Sequence, residues 1–428
     1  MLGLVAPWKL ESFEIDHAQR IVTLRVICTE TVWGDPETKQ RLHIHSHEER
    51  QWRHPDFWQY QTVLIAKVPR VMDPETRKTQ MVAVPWAGQG SRWTPAFETL
   101  ALAVIQACRS IDDARRLLRL SWDSAQRIMA RAVERGMERR RDEPLSLLGI
   151  DEKSFLKGQN FISILTDLTG ERVLEVVQGA DKTSALALLD TLSTGQKEQV
   201  QAVAMDRSPT FVAAVSEALP DAAIVHDSYH LSADLNKALD QVRRQEHKVL
   251  QAAGDETLTG TKFDWLRNAM HFSTKRLTAF TQLASLALKT ARAWSIKELF
   301  GGFWDQASRE AGAAFFKRWY ARTMRSRLEP MKKVAKSFKG SLARILTWFE
   351  HPISNAITEG FNSIIQLLKA AARGFRNYAN YRITILFHCG KLDLSVPSSF
   401  PTRLPEEPKN GGATNILWWL LHSATLAP

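Results

Sequence analysis

Three acids stand where they could hold a cation. Asp151 closes the apolar run 145–150, and Asp206 closes the run 200–205. Acids just past buried strands come to lie side by side at one sheet edge. Two carboxylates brought together repel unless a cation separates them. An all-oxygen site with open positions suits Mg²⁺, with Mn²⁺ as a substitute. Two such ions a few ångströms apart activate an attacking oxygen and stabilise a leaving one in phosphodiester chemistry. A third acid is needed, and Glu359 is the candidate. It lies near the start of a helix expected from Ser354-Asn-Ala-Ile-Thr-Glu-Gly-Phe-Asn362, where a Glu can point back at a sheet edge. An Asp at a strand end is more often a turn or cap residue, so pattern alone leaves both readings open.

The elements that must position these acids follow from periodicity. Strands are expected at 145–150, 161–165, 173–177, 200–205 and 222–225, with helices at 181–192 and 209–219. Short turns between the first three strands predict an antiparallel meander, and the later helices permit parallel crossovers. Residues 231–350 carry helical patterns without strands. Trp265, Trp294, Trp304 and Trp319 suit core anchors of a helical bundle there. Residues 353–390 read as one or two further helices.

Upstream, residues 1–95 mix short alternating runs with turn signals, with strands expected at 21–27 and 62–68. A small, mostly β module results. From residue 94 the period becomes helical. Ser110 with Asp113, and then Ser121, suit N-caps of two helices about three residues apart, a helix-turn-helix candidate. The tail from Ser395 is rich in Pro, Ser, Gly and Asn and reads as a loose extension.

Charge narrows the partner. Lys plus Arg number 57 against 46 Asp plus Glu, a net +11. That surplus favours a polyanion, nucleic acid or an anionic membrane surface. The longest dense apolar run, 416–421, is far too short to span a bilayer. Three scattered cysteines without a C-x-x-C support neither a disulfide framework nor a cysteine zinc site, and a cytoplasmic, nucleoid-associated location is expected. In the second helix of the pair, Asp123, Ser124, Gln126 and Arg127 would face a major groove while Arg115, Arg116 and Arg131 hold phosphates. Trp122 reads as core. Lys332, Lys333, Lys336 and Lys339 space themselves along one helix, and Arg373, Arg376 and Arg382 follow the third acid; all are expected along DNA. Lys153 and Arg207, next to two of the acids, are expected at scissile phosphates. The bland alternative for each run is a solvated charged face.

The words around the acids resemble the ISL3-type insertion-sequence transposases. Gly149-Ile-Asp151-Glu-Lys-Ser is similar to that family's first acid block and Ala204-Met-Asp206-Arg-Ser-Pro to its second. His226-Asp-Ser-Tyr-His230 is similar to its Asp-x-Phe-His segment. Glu359-Gly-Phe-Asn362 and Ala372-Arg-Gly-Phe-Arg-Asn-Tyr378 resemble its third-acid block and following basic helix. The resemblance implies a multi-domain α/β chain: an RNase H-like mixed sheet core split by an all-α insertion, preceded by a small β module and a helix-turn-helix. The expected divisions are 1–93 for the β module, 94–142 for the helix-turn-helix, 143–231 and 351–395 for the core, 232–350 for the insertion and 396–428 for the tail. Asp151, Asp206 and Glu359 would hold two Mg²⁺ ions. Asp227, His230, Asn355 and Asn362 would support the acids or position substrate. Hydrolysis at the transposon end and strand transfer into target would follow, on double-stranded DNA at terminal inverted repeats, by a homo-oligomer, a dimer in the DNA complex. Two other readings stay open: a domesticated, catalytically inactive DNA-binding regulator, and another RNase H-like nuclease.

One departure concerns the N-terminal module. Its segments 49–56, 68–71 and 84–87 resemble those around the family's zinc ribbon, but the ribbon cysteines are missing, and Trp58 and Asp73 stand where ligand types are expected. This counts against zinc. His43, His45, His47 and His54 are the alternative ligands, the first three sharing a strand face by i, i+2 spacing; a polar surface cluster is the simpler reading.

Overall fold

A computed structural model describes residues 4–34, 41–72, 77–156, 160–267 and 272–397. The loose tail expected at the C-terminus lies almost wholly outside them. The chain divides into two compact units, one ending at Leu100 and one spanning Ala101–Ser395.

Among the described residues the first unit is built on six strands: β1 (Trp8–Asp16), β2 (Ile21–Cys28), β3 (Val32–Gly34), β4 (Arg41–Phe57), β5 (Tyr60–Met72) and β6 (Thr79–Met81). They pair in the order β1-β2-β5-β4-β3, with β6 on β5. The two strands legible in the sequence are β2 and the middle of β5, and they lie side by side in parallel. Four tryptophans form the core. Trp8 meets Trp86 edge-on at 4.8 Å, Trp52 meets Trp86 at 5.5 Å and Trp33 meets Trp8 at 6.2 Å. Such pairs add about 0.5–1.5 kcal/mol each beyond area burial.

Helix α1 (Pro95–Ala107) leads to α2 (Ile111–Leu118) and α3 (Trp122–Arg139). Ser110 caps α2 by accepting from the Asp113 amide, and Ser121 caps α3 by accepting from Ser124. Arg119 ends α2 in the left-handed region at φ 53°, which reverses the chain within three residues and makes the helix-turn-helix corner.

The second sheet comprises β7 (Leu147–Ser154), β8 (Phe161–Asp167), β9 (Arg172–Gln178), β10 (Ala202–Met205) and β11 (Ala223–His226), in the order β11-β10-β7-β8-β9. The first three form an antiparallel meander, and β10 and β11 run parallel to β7. Helices α4 (Lys182–Leu189), α5 (Thr194–Gln199) and α6 (Pro209–Ala218) supply the crossovers. The expected helix 181–192 ends early because Ser193 opens α5 with a capping box. Leu148 and Ile150 of β7 and Val203 and Met205 of β10 share a core with Leu188, Phe211 and Val215. Side chains alternate along a strand, so Gly149 and Asp151 face the other side.

From α7 (Ser228–Ala252) the described residues are helical: α8 (Lys262–Leu266), α9 (Thr274–Ala284), α10 (Lys289–Gly301), α11 (Arg309–Arg325), α12 (Glu329–Gly340), α13 (Leu342–Leu346) and a 3₁₀ turn at Thr347–Phe349. They enclose an aromatic core of Trp265, Phe300, Phe303, Phe316, Trp319 and Phe338, with Trp294 and Trp304 packed against it. Finally α14 (Ala356–Ala371) lies on β7, and α15 (Tyr378–Cys389) lies on β9 and α3.

Candidate active site

Register decides which acids meet. In the parallel pairing of β10 with β7, Ala204 stands beside Gly149, so two residues on, Asp206 comes level with Asp151. In the pairing of β10 with β11, Met205 stands beside His226, so Asp206 also comes level with Asp227. Neighbouring strands lie about 4.8 Å apart. All three acids fall on the face opposite the apolar core shared by Ile150 and Met205. One expectation needs correcting: Asp151 lies inside β7, not past its end. The strand continues to Ser154 because Lys153 and Ser154 still pair with Ile162 and Phe161 across the hairpin.

Helix α14 brings the fourth acid. One helical face, at spacings of three, four and seven residues, is bonded to the sheet. Asn355 Nδ2 donates to the Ile150 carbonyl at 3.3 Å, Thr358 Oγ1 meets Thr166 Oγ1 at 2.6 Å, Asn362 Nδ2 donates to Asp151 Oδ2 at 2.5 Å, and Lys369 Nζ donates to the Ser154 carbonyl at 2.9 Å. Thr166 Oγ1 in turn donates to the Gly149 carbonyl at 3.1 Å. This approach is possible because residue 149 has no side chain: a Cβ there would lie 2.5 Å from Thr166 Oγ1 and 2.8 Å from Asn355 Oδ1. Glu359, in the first turn of α14, then sits 3.8 Å from His230 Nε2.

The acids act on one another. Burial raises the Asp151 pKa, and the charge of Asp206 adds to the rise; the Glu152 amide (2.8 Å) and His230 oppose it. Glu359 is raised by burial and by the charges of Asp227 and Asp151. Glu152 was not singled out from sequence. It is raised by burial and then by Asp206 and Asp151, and its only sequence signal is adjacency to Asp151. Asp206 Oδ1 accepts from the Ser208 amide at 2.9 Å, and His226 Nδ1 lies 3.2 Å from the Asp206 carbonyl. Burial holds His226 down at about 4.

A family model described as "Transposase" matches residues 148–385, which span this sheet and its helices. A second, described as the helix-turn-helix domain of transposase family ISL3, matches 82–133. The chain belongs to the ISL3 family of transposases. Its relatives include the transposase for insertion sequence element IS1557 of Mycobacterium tuberculosis, 27% identical over 353 residues, covering 77% of this chain and 79% of that protein. The transposase for IS1001 of Bordetella parapertussis is 21% identical over 346 residues, covering 80% and 85%.

In this ISL3-family chain the residues expected on DNA divide into exposed and committed groups. Arg127, Lys333, Lys336, Arg373 and Arg376 are exposed, and Arg131 is half-buried. Arg115 and Arg116 both pair with Asp112, and Lys332 pairs with Glu329. Ser124 takes part in the α3 cap, accepting from Ser121 Oγ. Gln126 corrects the expectation of a base contact. It lies on the inward face with Ala125 and Met129 and donates to Asn380 Oδ1 at 3.2 Å. Trp122, expected in the core, is 42% exposed at the start of α3. Arg382 is gripped at both ends by Glu175, at 2.6 and 2.5 Å. Arg207 turns away from the acids to Asp234 and to Ser337 Oγ (2.7 Å), stacking on Phe338. Lys153 shares the Asp151 face of β7 and lowers that acid's pKa. A groove of about 750 Å³ between α2, α3, α14 and α15 gathers Arg109, Arg116, Trp122, Arg373 and Arg376.

A model described as the zinc-finger of transposase IS204/IS1001/IS1096/IS1165 matches residues 37–72. That match runs against the doubt raised from the missing cysteines: the segment is related to a zinc-binding module. The matched stretch has no cysteine, and the one convergent group of three potential ligands among the described residues is elsewhere. His43, His45 and His47 are exposed along β4, while His54 bonds Thr94 Oγ1 at 3.0 Å. Asp73 lies outside the described residues. Among the described residues no helix is long and apolar enough to cross a membrane.

Proposed function

We propose that this transposase cleaves DNA at the ends of an insertion sequence and joins the freed 3′ ends to target DNA, using divalent cations held by Asp151, Asp206 and Glu359. The observation that carries the reading is the register that brings Asp151 and Asp206 level on one face, with α14 bonded to Asp151 through Asn362 and its Glu359 near enough to feel the Asp151 charge. The strand order and orientations support an RNase H-like core, and the helices from α7 to α13 support an insertion that splits it. The donor set fits Mg²⁺ or Mn²⁺: burial and the charge of Asp206 raise the Asp151 pKa, burial and the charges of Asp227 and Asp151 raise that of Glu359, and a cation among these oxygens would relieve both. A bound cation of this kind supplies Lewis-acid polarisation of a phosphate oxygen and lowers the pKa of water.

The chain's own residues orient the acids. Asn362 fixes the Asp151 carboxylate, the Ser208 amide fixes Asp206, and the Thr358–Thr166 contact holds Glu359 at its distance from the sheet. The exposed arginines of the groove after α14 and around α2 and α3 suit DNA phosphates. Two ends must be held together, so a homodimer on DNA is part of the reading. The test is cleavage of supercoiled plasmid carrying terminal-repeat DNA in Mg²⁺. Asp206→Ala should lose activity by at least about a hundredfold, the scale of removing one preorganised stabilising group. Equal cleavage by both proteins would remove Asp206 from the mechanism.

A further inference from the structure

Asp227 caps α7 and His230 stands at its third helical position, so their side chains share the first turn. Glu359 arrives from the first turn of α14. One ligand atom from each of the three lies within 4.8 Å of the other two. Neither Asp151 nor Asp206 enters this group.

Asp227 is the member that demands a ligand. It is 2% exposed, and its Oδ1 accepts weakly from the Tyr229 amide at 3.4 Å. Its Oδ2 is buried and, among the described residues, takes no hydrogen bond from an N–H group or a hydroxyl. A charged oxygen stripped of water and left bare is among the costlier defects a fold can carry. The Glu359 carboxyl lies within reach of it, and two acids so placed repel unless a proton or a cation lies between them. The imidazole of His230 lies beside both, 3.8 Å from Glu359 Oε1.

We propose that Asp227, His230 and Glu359 form a divalent-cation site of their own, two carboxylates and one imidazole nitrogen. The inference deepens the reading above, because Glu359 is shared between this site and the Asp151–Asp206 pair. Imidazole favours first-row transition metals, of which Mn²⁺ is the weakest binder and the most tolerant of carboxylate oxygen, whereas Mg²⁺ keeps to oxygen. The site is therefore selective for Mn²⁺ over Mg²⁺, and its occupancy pins Glu359 beside the sheet.

The test uses the full-length protein with Mn²⁺ alone, followed by electron paramagnetic resonance and by ¹⁴N spin-echo modulation. Wild type should show nitrogen coupling to Mn²⁺ that excess Mg²⁺ removes poorly. His230→Gln, at a half-exposed position, should abolish that coupling. Asp227→Asn, which keeps a capping oxygen, should weaken Mn²⁺ binding at least about tenfold. Asp206→Asn should retain the nitrogen signal. Absence of coupling in saturated wild type, or its survival in His230→Gln, would overturn the inference. So would unchanged affinity in Asp227→Asn, which would mean that Asp227 and Glu359 share a proton instead. Nitrogen coupling present in a wild type that cleaves no plasmid would sink the proposed function and leave this site standing.

Discussion

Gly149→Ala tests the closeness of α14 to β7, on which the position of Glu359 depends. The glycine has no left-handed φ to explain it; the constraint is space. A Cβ would lie 2.5 Å from Thr166 Oγ1, 2.8 Å from Asn355 Oδ1 and closer still to Thr358 Oγ1. Two of these atoms belong to α14, so the helix must move outward. That stretches the Thr358–Thr166 and Asn355–Ile150 bonds, each worth about 1 kcal/mol, and adds overpacking strain of about 1–3 kcal/mol. Replacing a strand glycine returns roughly 0.5–1 kcal/mol of backbone entropy, which is too little to offset the loss. A net destabilisation of about 3 kcal/mol should lower the melting temperature by roughly 6 °C or more. Calorimetry reads this directly, and plasmid cleavage should fall with it as Glu359 retreats from Asp151. Adding Thr358→Ala removes the worst clash, so the double variant should be more stable than the sum of the singles by about 1 kcal/mol. A Gly149→Ala protein that melts and cleaves like wild type, or a strictly additive cycle, would refute the account.

Two further outcomes follow from the same geometry. Arg207→Ala should destabilise by about 1 kcal/mol, a figure held down because Asp234 is 39% exposed; the salt dependence of DNA binding should not change, whereas a slope reduced by about one charge would make Arg207 a phosphate contact. His54 is held at about 4 against its ordinary 6.5, chiefly by burial and then by positive neighbours including Arg53. The unfolded chain therefore takes up the proton first as pH falls, so stability is lost between about pH 6.5 and pH 4 and levels off below. The loss should approach about 3 kcal/mol. Urea titrations should show His54→Gln flattening that window, and an identical pH profile in both proteins would contradict it.

The core was legible where periodicity is strong. Strands of four to eight apolar residues, their antiparallel meander and the later parallel crossovers follow from run length and turn length. The caps Ser110 and Ser121 were legible because a side chain bonding an amide three residues on is a local event. The reading failed where a residue's neighbour is remote in the chain. Gln126 reads as a groove contact until Asn380 is seen against it, Arg382 as a DNA contact until Glu175 is, and Arg207 as a phosphate contact until Asp234 and Ser337 are. A polar side chain at a helix surface has the same sequence signal whether it meets solvent or another helix.

The amino-acid order alone decided that acids at 151 and 206 would follow or end buried strands, and that residue 359 would open a helix, because hydrophobic period and caps are encoded within a few residues. Only the folded chain decided that Asp227, His230 and Glu359 come within reach of one another and that Gly149 lets α14 close. Those facts depend on strand register and on a helix 205 residues away donating an asparagine to the Ile150 carbonyl. Register is a collective property of paired strands, and no single segment carries it.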